Sequence, residues 1–445
     1  MSDHVRTLLA GGLLVLVQAL AAVPWVLFLL GTRDQARQRL AQAGGLLGDT
    51  MRTPVVRLYA LWLLGAALVF LAGGFLSPYI VGFGSTVRED LEGMGRHWTA
   101  LLQAQLTIDL FLLLFWIILK VWPKGGAIAL AAFYEGTRQP VFWMLFGFSC
   151  LLMVVWTWVP YFTFGEDYLM VKQLGYDTIM LAAVVFGCLG ASLSVSEEIE
   201  GRSAITVMSK PVSRRQFMLG KFLGIMLGAL FLFGLLTVVF QEVLVYKHWW
   251  DKLDTLSSKE FKDKLTASGQ AAIGVVPTPS FLLEWVEGLG VSEPMTHTLR
   301  GVVQWAAHTA DTLPGMALCF SQVMVLVALA VALATRLPIV VNLVTVLVVF
   351  FLAHLTPKLL AVAARQTQAD PDAPVGRILG FVAQVFDTIL PDLGAFSMDP
   401  ALLSEAPPPA ELFLRYVGAV TLYGVVYTGI VLLLGLILFE DRDLA

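Results

Sequence analysis

Residues 315–355 read GMALCFSQVMVLVALAVALA, then TRLP at 335–338, then IVVNLVTVLVVFFLAHL, with Arg336 the only formal charge among them. A helix needs about 20 mostly apolar residues to cross a hydrocarbon core roughly 30 Å thick. Each run approaches that length. Pro338 cannot extend the first helix, but its fixed φ suits the first turn of a second. The stretch therefore reads as two membrane spans joined by a tight turn.

The rest of the chain repeats this pattern. Of 445 residues, 58% are hydrophobic and 14% charged, against roughly 45–50% and 25% in soluble proteins. The mean hydropathy is +0.78, which a water-facing surface could not sustain. A soluble enzyme, a disordered protein and a nucleic-acid binder are all excluded. The net charge of −4 adds no basic field that would attract phosphates. Cys150, Cys188 and Cys319 sit inside apolar runs at no ligand-like spacing, so neither a disulfide framework nor a metal site follows from them.

Apolar runs fall at about 8–30, 58–83, 105–122, 141–163, 176–195, 218–244, 315–335, 337–355 and 413–439. β-barrel alternation is absent. The fold class is thus all-α polytopic membrane protein, with about nine transmembrane helices. The first run includes Ala19-Leu20-Ala21, which resembles a signal-peptidase site, but it continues to Leu30, too long for a signal sequence.

Lysine and arginine orient the spans. Segments 31–57, 120–138 and 196–221, together with Arg336, carry most of the basic residues between spans. All fall on one side of a nine-span chain, the expected cytoplasmic side. The C-terminus is then inside and the N-terminus outside, in the inner (cell) membrane. Two long loops, 245–314 and 356–412, face outward. They are expected to be helical: Ser257 to Glu260 form a capping box, Pro279-Ser280 opens Phe281–Gly288, and 298–309 reads as an interfacial helix. Arg377–Leu390 is apolar but too short to cross, as in a re-entrant or surface-lying helix. Residues 126–140, apolar to Phe133 and then carrying Glu135 and Arg138, suit a helix lying in the cytoplasmic interface before Pro140 turns the chain.

The polar exception is 196–221. Ser196, Glu197, Glu198 and Glu200 precede Gly201-Arg202, then a short helix with Ile205 and Met208 three apart, ended by Pro211. Ser213 with Gln216 forms a capping box that launches the next span. A stiff charged helix joined tightly to two spans can transmit a push into the membrane. It can equally be a basic loop that fixes topology, with Arg214, Arg215 and Lys221 on lipid phosphates.

The run Glu-Glu-Ile-Glu-Gly-Arg at 197–202, Lys-Pro-Val-Ser-Arg-Arg-Gln-Phe at 210–217 and Leu-Gly-Lys at 219–221 resembles the intracellular motif of ABC-2 type transporter permeases. Tyr134 to Pro140 is similar to that family's amphipathic helix, and Phe439 to Leu444 to its charged tail. The resemblance covers about 126–445. It departs at Arg202, where threonine is usual, and in the length of loop 245–314. It implies a six-span permease domain at 126–445, preceded by a three-span region at 1–125 of unassigned role. It further implies a homodimer or pairing with a related permease, and a separate ABC ATPase subunit docking on 196–215. The residues it puts at that contact are Glu197, Glu198, Glu200, Gly201, Arg202, Ile205, Met208, Pro211, Ser213, Arg214 and Arg215.

The chain has no Gly-x-x-x-x-Gly-Lys-Ser/Thr phosphate loop, since Lys221 is followed by Phe222. ATP and Mg are therefore expected in the partner chain, and no cofactor, metal or catalysis in this one. Asp109, Glu242 and Asn342 are intramembrane polar candidates. Asp109 and Glu242 lie near span ends, where headgroups can solvate them. Asn342 and His354 suit bonding between helices. His297, His308 and Asp311 match no metal spacing. The expected function is the membrane subunit of an ATP-driven exporter. The competing class is an ion-coupled carrier or assembly factor without an ATPase, but paired broken helices with central ionisable groups are not evident.

Overall fold

A computed structural model describes residues 3–30, 85–158, 167–196, 213–257, 278–369, 374–398 and 410–440. Among them there is no strand. The helices are α1 (Asp3–Leu30), α2 (Ser85–Val121), α3 (Pro123–Arg138), α4 (Pro140–Trp156), α5 (Asp167–Ala191), α6 (Arg214–Ser257), α7 (Ser280–Gly288), α8 (Glu293–Ala334), α9 (Ile339–Ala369), α10 (Pro374–Ile389) and α11 (Ala410–Glu440). Seven of these (α1, α2, α5, α6, α8, α9 and α11) are long and apolar enough to cross a membrane. The pair α3 and α4, bent by 60°, together meets the same test. The architecture is that of an all-α polytopic membrane protein. The expected span 58–83 lies outside the described residues.

Local chemistry accounts for the breaks. Pro123 occupies the first turn of α3, where a missing N–H costs nothing. Gln139 is extended (φ −67°, ψ 140°), as the residue before a proline prefers, and Pro140 then starts α4. The turn between α8 and α9 is as short as 335–338 implies. Leu337 N–H donates to the Leu333 carbonyl at 2.8 Å and Asn342 N–H to the Pro338 carbonyl at 2.9 Å.

Several helices reach further than the apolar runs. α6 continues to Ser257, because 246–257 contains no glycine or proline to stop it. The expected interfacial helix 298–309 and the span after it are one 42-residue helix, α8, with Pro314 inside. At 1.5 Å per residue α8 is about 63 Å long, twice the hydrocarbon thickness. α9 likewise runs through Pro357 to Ala369. α2 begins at Ser85 and carries a charged first half. α7 starts at Ser280 after Pro279, as the sequence predicts.

The chain divides into two compact units, 1–117 with 237–313, and 118–236 with 314–445. In the first unit Leu14, Ala21, Trp98, Leu102 and Met295 form an apolar cluster. Gln18 donates to Gln105 at 2.8 Å in the interior, tying α1 to α2. α2 and the start of α8 cross at two glycines: a Cβ on Gly95 would strike the Thr298 carbonyl, and one on Gly301 the Glu92 carbonyl. Around this crossing Glu92 accepts from His297 Nδ1 at 2.9 Å, and Arg96 donates to Gln304 at 3.0 Å.

In the second unit α3 lies against α6 with almost no side chain between them. Gly220 and Gly224 form the contact, since a Cβ on either would meet the Gly125 or Ala129 carbonyl, and Gly228 continues the stripe against the Phe186 ring of α5. Such small-residue stripes let membrane helices pack backbone to backbone. Phe142, fully buried, seals the end of this packing against Phe186 and Phe231. α10 packs along α9. The turn after α10 is held by tyrosines of α11: Tyr423 Oη accepts from Asp392 N–H at 3.0 Å, and Tyr416 Oη donates to the Ala395 carbonyl at 2.6 Å.

Candidate functional site

The acidic and helical part of the charged segment, Glu197, Glu198, Glu200, Gly201, Arg202, Ile205, Met208 and Pro211, lies outside the described residues. Its two roots are described, and both belong to the second unit.

The first root is the end of α5. Residues Ser192–Ser196 close the helix in a π turn, a wider turn that in α-helices often marks functional sites. Two of its serines are held from different sides. Ser192 accepts from Asn342 Nδ2 of α9 at 2.9 Å, and the same amide donates to the Ala330 carbonyl at 3.0 Å. Asn342 is fully buried. It bonds neighbouring helices, as the sequence reading anticipates.

Ser194 belongs to a three-membered polar cluster. Lys221 Nζ donates to Ser194 Oγ at 2.8 Å and to Glu135 Oε2 at 3.4 Å. Ser194 Oγ donates to the same Glu135 oxygen at 2.9 Å. The Lys221 side chain is 5% exposed while Glu135 is 40% exposed. An ammonium this deeply covered needs its acceptors, because an uncompensated buried charge is strongly destabilising. The lipid-phosphate role considered for Lys221 is therefore corrected. Its charge is taken up inside the protein by α3 and the π turn.

The second root is the start of α6. Ser213 and Gln216 form the reciprocal capping box read from the sequence: Gln216 N–H donates to Ser213 Oγ at 3.2 Å, and Ser213 N–H to Gln216 Oε1 at 3.3 Å. The next two residues grip the end of α11. Arg214 Nη1 donates to the Glu440 carbonyl at 3.0 Å, and Arg215 pairs with the Glu440 carboxylate at 3.3 Å. Arg336, from the turn between α8 and α9, donates to the Leu438 carbonyl at 3.1 Å. A helix C-terminus has orphan carbonyls and the negative end of the macrodipole, and three arginines satisfy both. Phe217 and Phe439 stack below them with centroids 6.1 Å apart.

Arg138, at the exposed end of α3, lies 5.3 Å over the Tyr134 ring. Of the other intramembrane candidates, Glu242 accepts from His97 Nδ1 at 3.1 Å in the first unit. Asp109 is half-buried in α2. Among the described residues no group of three or more His, Cys, Asp or Glu is placed to hold a metal ion.

Around the two roots the described residues form a joint between helices. Both ends of 197–212 are fastened to other helices: one to α3, α6 and α9, the other to α3, α5 and α11. Sequence reasoning missed Ser192, Ser194, Arg336 and the glycine stripe. The spacing Gly220-x-x-x-Gly224-x-x-x-Gly228 was the signal that could have revealed the α6 contact face.

Comparison with known proteins bears on the same region. Residues 136–282, a third of the chain, match the family model described as ABC-2 family transporter protein. No curated protein matches the chain. The match begins at the end of α3 and runs through α4, α5, the charged segment and α6 into α7. With the motif of 196–221 lying inside it, the match supports an ABC-2 type permease, the membrane subunit of a transporter.

Proposed function

We propose that this chain is the permease of an ATP-driven exporter, in which a separate ATPase subunit docks on the cytoplasmic segment 196–215. ATP and Mg are bound by that subunit, and closure of its nucleotide sites moves the segment. The movement tilts α5 and α6 and changes access along an interface with a second permease. The domain responsible is 126–445, in the inner membrane with its C-terminus cytoplasmic. The observation that carries the reading is the coincidence of the family match with a charged segment whose two roots are both anchored to neighbouring helices. Glu197, Glu198, Glu200 and Arg202 supply the polar contact, and Ile205 and Met208 the apolar one.

The test is affinity purification of the tagged full-length chain from its native membranes in mild detergent, with bound proteins identified by mass spectrometry. The wild type is expected to bring down an ATP-binding-cassette ATPase, and the triple variant Glu197→Lys, Glu198→Lys, Glu200→Lys to lose it. Absence of any ATPase with the wild type, or undiminished association in the variant, refutes the reading and favours a carrier or assembly factor.

A further inference from the structure

We infer that Glu135, Ser194 and Lys221 are positioning residues that deliver movement of the charged segment to α3, an inference that rests on the coupling reading above. Three observations converge. First, the cluster joins one root of the segment to the other directly: Ser194 lies in the π turn and Lys221 two turns into α6, with 2.8 Å between their polar atoms. Second, the shared acceptor is Glu135 near the end of α3, so both roots converge on a single carboxylate of that helix. Third, α3 cannot absorb a pull at that end by sliding freely, because it rests backbone to backbone on Gly220 and Gly224.

Displacing either root must therefore break the cluster or carry α3 with it. Charge-assisted hydrogen bonds in a covered site are among the stronger ones, and interdigitated packing shifts between discrete arrangements rather than deforming continuously. Moving α3 as a body is the expected response. Because α3 leads through Gln139 straight into α4, the same displacement reaches α4 across a 60° bend.

The experiment uses the full-length chain in lipid nanodiscs, alone and with the ATPase that co-purifies, followed by amide hydrogen exchange. In the chain alone, Lys221→Met is expected to accelerate exchange over 192–196 about tenfold, the scale of one lost charge-assisted bond. Lys221→Arg should restore most of the protection. In the complex, Lys221→Met should keep the ATPase bound in wild-type ratio. The nucleotide-dependent change in exchange over 123–138 should nonetheless fall by more than half, and Lys221→Arg should retain it. Glu135→Gln, at the exposed end of the cluster, is expected to repeat the Met result if Lys221→Met does not fold. A full nucleotide response over 123–138 in Lys221→Met or Glu135→Gln overturns the inference, as does equal impairment by Met and Arg at 221. If the wild type binds no ATPase, the coupling reading itself fails and takes the relay with it, even where the exchange results on the isolated chain hold.

Discussion

Replacing Gly224 with alanine sets two effects of known size against each other. In an exposed helix interior, alanine is favoured over glycine by about 1 kcal/mol. At Gly224 the new methyl would fall on the Ala129 carbonyl and lie 2.8 Å from the Ala132 Cβ. Neither obstacle can rotate away, since one is backbone and the other a methyl fixed to it. Overpacking of this kind costs about 1–3 kcal/mol, so the net is a loss of up to about 2 kcal/mol, expressed as α3 lifting from α6. Gly429 of α11 is the internal control, because a Cβ there meets nothing within 4 Å. Gly429→Ala should be neutral or stabilising by up to about 1 kcal/mol. The assay is intrinsic tryptophan fluorescence during heating of the detergent-solubilised protein, which carries 12 tryptophans. At about 2–4 °C per kcal/mol for units of this size, the two variants should separate by several degrees. A multi-unit membrane protein is not expected to unfold in two states, so the order of apparent midpoints is the observable. Gly224→Ala melting at or above Gly429→Ala would refute the close-approach argument.

Other perturbations probe separate contacts. Ser213→Ala removes the hydroxyl that caps α6 and should cost about 1 kcal/mol, seen as faster amide exchange confined to 214–217; unchanged protection there would deny the cap any weight. Gln18→Ala strands the buried Gln105 amide and should destabilise the first unit by about 1–3 kcal/mol. The double variant Gln18→Leu, Gln105→Leu should recover most of that loss in the same melting assay, and a double variant worse than the single would contradict it. Tyr423→Phe deletes the acceptor for Asp392 N–H, a loss of about 1 kcal/mol or less. Combined with Tyr416→Phe it should be non-additive, because both phenols hold one turn; limited proteolysis at 390–397 is the readout, and strict additivity would show that the two act independently.

What the sequence disclosed depended on how far apart the partners lie. The capping box at Ser213 and Gln216, the proline restart at Pro140 and the turn at 335–338 involve residues within a few positions of one another, so their chemistry is visible in a short window. Helix limits were less legible. Reading for apolar runs finds where a helix would meet lipid, and not where it ends, which is why α6 and α8 overrun the expected loop 245–314. The site itself was divided. Its charged residues stood out as exceptions in an apolar chain, but the Lys221 contact with Glu135 spans 86 positions and the Asn342 contact with Ser192 spans 150. No periodicity encodes such pairings. Lysine beside a span looks the same whether it meets a lipid phosphate or a glutamate from another helix, and only packing separates the two. The same holds for Glu92 and His297, which meet across 205 positions in a region with no assigned motif.

The π turn at 192–196 has a consequence for how this segment tolerates changes in length. An α-helix advances about 100° per residue, and a π turn accommodates one residue beyond the α repeat. Deleting a single residue within the turn would be absorbed as the turn reverts to α geometry, whereas deleting one earlier in α5, where the helix is already regular, would swing the turn by about 100° around the helix axis. Ser194 would leave Lys221 and Glu135, although every charged side chain of the joint would still be present. The joint is therefore set by register as much as by composition. A one-residue deletion in α5 ahead of the turn should do what no conservative substitution does: leave each of its polar groups intact and aim them past one another.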